Sequence, residues 1–237
     1  MTSDDITIHR GLTGVYFDRS ATTFIDGKNG VLEYRGYNIN QLAEHSTFEE
    51  TGYLLIHGKL PTQAELNDFD AELKAARELP EQVFDVLELV KDSHPMDALR
   101  TAVSALASFD EDRNDNSPEA TIRKGNRLTS QVPSIVMAHH NIRQGKDPIK
   151  PSTVLNHAGN FLYMLNGDEP SAATAELMDK DFVLHADHGS NASAFTARVV
   201  AGTAADIHGA VTAGIAALSG PSHGGAAENV MQMAKEI

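Results

Sequence analysis

Apolar side chains recur at helical intervals along most of this chain and alternate only in one short stretch before residue 36. That stretch, TTFIDGKNGVLEYRG, sets two β-prone runs around Asp26-Gly27 and Asn29-Gly30, dipeptides suited to tight hairpin turns. In NINQLAEHSTFEETGYLLIHG the apolar positions Ile39, Leu42, Ala43, Phe48, Tyr53, Leu54, Leu55 and Ile56 fall at helical spacing, and Gly58 supplies a C-terminal stop. Thr62, with Glu65 three residues on, has the pattern of a capping box and predicts a helix starting behind it. Further helices are predicted over about 82–91, 95–108, 118–144, 153–165, 172–186 and 193–218, with Pro, Gly, Asn and Asp in the loops between. The expected fold class is all-α with a small N-terminal β-hairpin.

Two later stretches sharpen this picture. Residues 199–221, VVAGTAADIHGAVTAGIAALSGP, hold seven alanines and four glycines. Side chains this small let helix backbones approach closely, and a helix so apolar is expected to be buried on most faces. It would be the central helix of a bundle or part of a subunit interface. The last residues, AAENVMQMAKEI, space Ala227, Val230, Met231, Ala234 and Ile237 as one face of a helix. No Gly, Asn or Pro closes it, so an element cut by truncation is expected.

Composition removes several function classes. A chain of 237 residues can bury a sizeable core, and with no cysteine it forms neither disulfides nor thiolate metal sites. Nineteen basic against 33 acidic residues give a net charge of −14, which leaves no basic surface for nucleic acid. The acidity fits either an ordinary cytosolic protein or one adapted to high salt, where screening relieves carboxylate repulsion. The longest apolar run, 199–218, is interrupted by Asp206 and His208, so no membrane span is expected. The polar, acidic opening MTSDDITIHRGLTGVYF does not read as a leader, and a cytoplasmic protein is expected.

Most of the eleven histidines need no chemistry. His9, His45 and His57 lie in polar or turn contexts, and His139 and His140 fall near a predicted helix end, where a cation is favourable. LHADHGSNASAF differs. His185, Asp187 and His188 cluster at a helix end, and the spacing of the two histidines puts them on one face of a helical turn. Three roles are open: a metal site with Asp187 as ligand, an anion pocket facing a helix that starts at Ser190 or Asn191, or a structural pair. In LSGPSHGGAAENV, His223 stands between a helix-ending Gly220-Pro221 and Gly224-Gly225, where backbone can approach a ligand. A helix N-terminus beside it would disfavour imidazolium, so a neutral imidazole could donate to a developing oxyanion. A plain helix–helix corner is the alternative.

RSATTFIDGKNGVLEYRGYNINQLAEHSTFEETGYLLIHGKLPT, SHPMDALRTAVSAL, HADHGSNASAFTARV and LSGPSHGGAAENVM resemble, in order, successive motifs of the citrate synthase family, in its shorter bacterial and archaeal form that includes 2-methylcitrate synthases. The resemblance runs from about residue 11 to 237. It implies a multi-helical large domain over 1–220, the start of a truncated small domain over 221–237, and a homodimer packed through helices such as 171–187 and 199–217. It implies an acyltransferase, condensing acetyl-CoA with oxaloacetate and water to citrate and CoA at the entry of the tricarboxylic acid cycle, without a metal or other cofactor. His223 matches the catalytic histidine that stabilises the acetyl-CoA enol, and His188 matches the oxaloacetate-binding histidine. No role carries over to Asn191 or Ser193.

Departures accompany the match. Gly189-Ser190 stands where the family usually has Glu and a larger residue, and Ala227 where Asn commonly precedes Glu228. The family's aspartate base, second catalytic histidine and substrate arginines are expected downstream of this chain, which alone would then be inactive. The competing functions are a 2-methylcitrate synthase using propionyl-CoA, a metal-dependent hydrolase built on His185, Asp187, His188 and His223, and a non-catalytic dimerisation module.

Overall fold

The hairpin forms where its turn dipeptides predict. In the computed structural model, which describes residues 19–225 together with Gly14, Val230, Met231, Met233 and Lys235, strand β1 (Thr23–Asp26) pairs antiparallel with β2 (Val31–Tyr34), Thr23 opposite Tyr34. The Asp26 carboxylate closes the turn by accepting from the Lys28 and Asn29 N–H groups at 3.1 and 3.2 Å. A third strand, β3 (Tyr37–Asn38), pairs with β2. At two residues it is too short to show any alternation in sequence. Arg35, in the turn before it, holds φ at 52° while its guanidinium donates to the Leu55 carbonyl at 2.7 and 3.2 Å.

Ten helices follow among the described residues: α1 (Ile39–His45), α2 (Phe48–His57), α3 (Gln63–Ala75), α4 (Glu81–Leu89), α5 (Pro95–Leu106), α6 (Pro118–Ile142), α7 (His157–Asn166), α8 (Ala172–His185), α9 (Ala192–Ala201) and α10 (Ile207–Leu218). Their starts are chemical. Thr47–Glu50 and Thr62–Glu65 form reciprocal capping boxes, and Ser117, Asn156, Ser171, Asn191 and Asp206 cap with their side chains. The predicted helix at 153–165 begins four residues late, because Ser152 Oγ accepts from the Val154 and Leu155 N–H groups and holds a turn there.

The stretch 193–218 is not one helix. It breaks over 202–205, where Ala204 adopts φ 64°, and Asp206 then caps α10 by accepting from Gly209 N–H at 3.0 Å. The result is a hairpin of helices, α9 packed against α10. A methyl group at Gly214 would lie 3.4 Å from the Ser193 carbonyl oxygen, so the start of α9 lies against the second half of α10. Within the single chain, α10 buries His208, Ala210, Gly214 and Ile215, whereas no residue of α9 is fully buried.

The largest core lies among α4, α5, α6 and α10, around Leu87, Val103, Leu106, Leu128, Ile135 and Ile215. A second joins the sheet to α1, α2 and α8 through Tyr34, Ile39, Leu42, Leu54 and Val183. Helix starts are tied across this second unit by buried carboxylates: Asp179 of α8 accepts from Phe48 N–H at the start of α2, and Glu49 accepts from His157 N–H at the start of α7. Among the described residues no helix is long and apolar enough to cross a membrane. Of the predicted final helix at 226–237, Val230, Met231, Met233 and Lys235 are described and are helical, as are Gly224 and Gly225 before it. His9 and Ala227 lie outside the described residues.

Candidate functional site

The N-terminus of α9 is the centre of the candidate site. Asn191 caps it, accepting from Ala194 N–H at 3.0 Å, and Ser193 stands in its first turn. The break at 202–205 sends the chain back along α10, and the turn at 220–223 then returns it to the same place. His223 Nε2 lies 2.9 Å from Ser193 Oγ, and the His223 N–H donates to the Gly220 carbonyl at 3.0 Å. His223 is half-buried. The two glycines after it have a packing reason of their own: a methyl at Gly224 would meet the Leu218 carbonyl oxygen at 2.5 Å, and one at Gly225 the Gly220 carbonyl oxygen at 3.0 Å.

His188 is exposed in the loop that leads into α9, three residues before the cap Asn191. It does not share a helical turn with His185, as its spacing predicted: α8 ends at His185, and the chain departs at Ala186. His185 is exposed, with Nδ1 2.8 Å from the Asp181 carbonyl. Asp187 turns instead to the sheet, accepting from Thr23 Oγ1 through one oxygen and from Gly189 N–H at 3.2 Å through the other. The set proposed for a metal hydrolase is therefore dispersed over separate partners. Among the described residues, no group of three or more His, Asp or Glu is arranged to hold a metal ion.

Three other histidines, His139, His157 and His208, are buried. His139 is buried at 3 % exposure, and burial lowers its pKa, so it is not the helix-end cation its position suggested. His157 stacks on Phe48 at 4.5 Å, and burial pushes it down to about 4. His208, at 1 % exposure, lies 3.6 Å from both Asp110 and Asp206, with burial lowering its pKa.

Sequence reasoning missed the bond from Ser193 to His223. No spacing signals a contact across thirty residues that exists only because α9 and α10 fold back on each other. A signal for that fold was present in Gly202 and Asp206, a possible stop and a possible N-cap inside what looked like one helix.

Fold and site together describe a multi-helical protein whose candidate site gathers at the N-terminus of α9, where His223 meets Ser193 and the loop carrying His188 enters the helix. Residues 11–237 match the family profile "Citrate synthase, C-terminal domain", and the chain belongs to the citrate synthase family. It is 48 % identical to a citrate synthase of Haloferax volcanii, covering 97 % of this chain and 62 % of that protein. It is 47 % identical to one of Deinococcus radiodurans, over 97 % and 61 %. The crystal structure of citrate synthase from Pyrobaculum aerophilum superposes with a TM-score of 0.90 at 40 % identity, covering 93 % of this chain and 57 % of that one. The chain thus spans about 60 % of the length of these relatives.

Proposed function

We propose that this chain works in a citrate synthase: the enol carbon of acetyl-CoA adds to the ketone of oxaloacetate, and water cleaves the thioester to give citrate and CoA. The observation that carries this reading is the contact of His223 with Ser193 in the first turn of α9, the helix whose entering loop holds His188. A helix N-terminus favours anions through its free N–H groups and partial positive charge, which suits a dicarboxylate beside His188. If Ser193 Oγ–H donates to His223 Nε2, the ring proton sits on Nδ1, where a neutral imidazole can donate to the enol oxygen. The base that removes the methyl proton is assigned to no residue of this chain.

The division into a large domain over 1–220 and a second domain opening at 221 belongs to the same proposal. So does a homodimer, supported by exposed apolar side chains on α9 and α10, Val199 and Leu218, and on the helical residues Val230, Met231 and Met233. A cytoplasmic location and a place at the entry of the tricarboxylic acid cycle follow only if the activity does.

The test is titration of the 237-residue chain with oxaloacetate by calorimetry, for wild type and His188→Ala. Saturable binding lost in the variant supports the assignment. Binding unchanged by the variant, or no binding by the wild type, overturns it for this chain. CoA release is readily followed alongside with a thiol reagent, since the protein contributes no cysteine background.

A further inference from the structure

We propose that Thr23 and Tyr34, neighbours on β1 and β2, are positioning residues for His188, holding Asp187 so that the next residue presents its imidazole in one direction. The inference rests on the reading of His188 as the oxaloacetate-binding histidine. Thr23 and Tyr34 are directly opposite in the hairpin, and both reach the loop after α8. Tyr34 is fully buried, and its hydroxyl lies 3.1 Å from the Leu184 carbonyl and 2.9 Å from the Asp187 carbonyl while accepting from Asp187 N–H at 3.2 Å. Thr23 Oγ1 donates to one oxygen of the Asp187 carboxylate. The other oxygen accepts from Gly189 N–H at 3.2 Å, so the residues on both sides of His188 are tied. Gly189 sits at φ 61°, a conformation that bends the loop sharply and that a larger residue adopts only under strain.

His188 itself is exposed, and loops of exposed residues sample many directions unless something restricts them. Here both flanking residues are fixed, and the grip on Asp187 comes from a sheet packed on α1, α2 and α8 rather than from the loop. A binding group held on a rigid element loses less entropy when it meets its ligand. The hairpin, distant in sequence from both histidines, thereby acts on the affinity of the site.

The experiment compares Thr23→Val, Thr23→Ser and Tyr34→Phe in the 15N-labelled 237-residue chain, by amide hydrogen exchange and by oxaloacetate titration. Thr23→Val and Tyr34→Phe are expected to speed exchange at Asp187 and Gly189 by about tenfold. Exchange in α5 and α6 should stay unchanged, and oxaloacetate affinity should fall several-fold. Thr23→Ser, which keeps the hydroxyl, should restore both. Unchanged exchange in both hydroxyl-deleted variants overturns the proposal, as does a Thr23→Ser protein that behaves like Thr23→Val, which would make the effect one of packing. Faster exchange with unaltered affinity also overturns it, because the hold would then be structural only. If wild type binds no oxaloacetate, the substrate reading fails, and exchange together with the His188 imidazole resonances decides the positioning claim. Tyr34→Phe removes one oxygen from a filled site and keeps the test available should Thr23→Val fail to fold.

Discussion

Ser193 Oγ stands 2.9 Å from His223 Nε2, the only described partner of that imidazole and one supplied from the first turn of another helix. With Ser193 Oγ–H as the donor at Nε2, as the proposed enol contact requires, the ring proton is left on Nδ1. Ser193→Ala is expected to leave global stability within about 1 kcal/mol of wild type, as the bond is only partly buried. The His223 ring should change from one dominant tautomer to a mixture, read from its 15N shifts. An unaltered tautomer would show that Ser193 does not set the position of the ring proton.

Gly224 is set by a collision. A methyl there would sit 2.5 Å from the Leu218 carbonyl oxygen and 2.7 Å from Leu218 Cδ1, at the end of α10. Gly224→Ala is therefore expected to destabilise by about 1–3 kcal/mol and to displace His223 from Ser193. Urea denaturation measures the first effect and the His223 imidazole resonances the second. Wild-type values for both would show that the turn relaxes at little cost.

The buried carboxylate of Asp179 predicts a dependence on pH. Burial first, and the nearby Glu49 carboxylate second, raise it to about 6 from 3.8. A raised pKa means the folded state holds the proton more tightly than the unfolded one. Its stabilising contribution is complete below about 3.8 and is lost as pH rises through about 6. His157 runs the opposite way: burial lowers it from 6.5 to about 4, so its contribution is complete above 6.5 and lost as pH falls through 4. Asp179→Asn keeps an oxygen for Phe48 N–H and removes the charge. It is expected to melt higher than wild type at pH 8, by an amount on the order of 1–3 kcal/mol, and to converge with wild type near pH 4. An equal offset at both pH values would remove ionisation of Asp179 as the cause.

Net charge predicts a response to salt. At −14 the chain repels itself, and screening lengths shorten from about 10 Å at 0.1 M salt to about 3 Å at 1 M. The melting temperature is expected to rise between low salt and molar KCl. Identical midpoints in both would leave the acidic composition without a role in stability.

The helices were legible wherever a cap and a period agreed. The capping box of Thr62 with Glu65 starts its helix where predicted, and the helices predicted from 118 and 172 begin at Pro118 and Ala172, behind caps Ser117 and Ser171. Prediction failed where a short local contact competed with the period, as at Ser152, or where small residues allowed two helices to look like one, as at 202–205. Of the site, His188 and His223 stood out by their neighbours in sequence. Asp187, singled out there as a possible metal ligand, serves the sheet.

The periods, the turn dipeptides, the acidity and the motifs that mark the family are properties of neighbouring residues, so they are legible in the chain alone. That Ser193 meets His223, that Tyr34 and Thr23 grip Asp187, and that Asp179 accepts from the start of a helix 131 residues away emerge only in the folded chain. Those contacts depend on the return of α10 along α9 and on the docking of the sheet against α8. Both are outcomes of burying many side chains at once, and no local stretch encodes them.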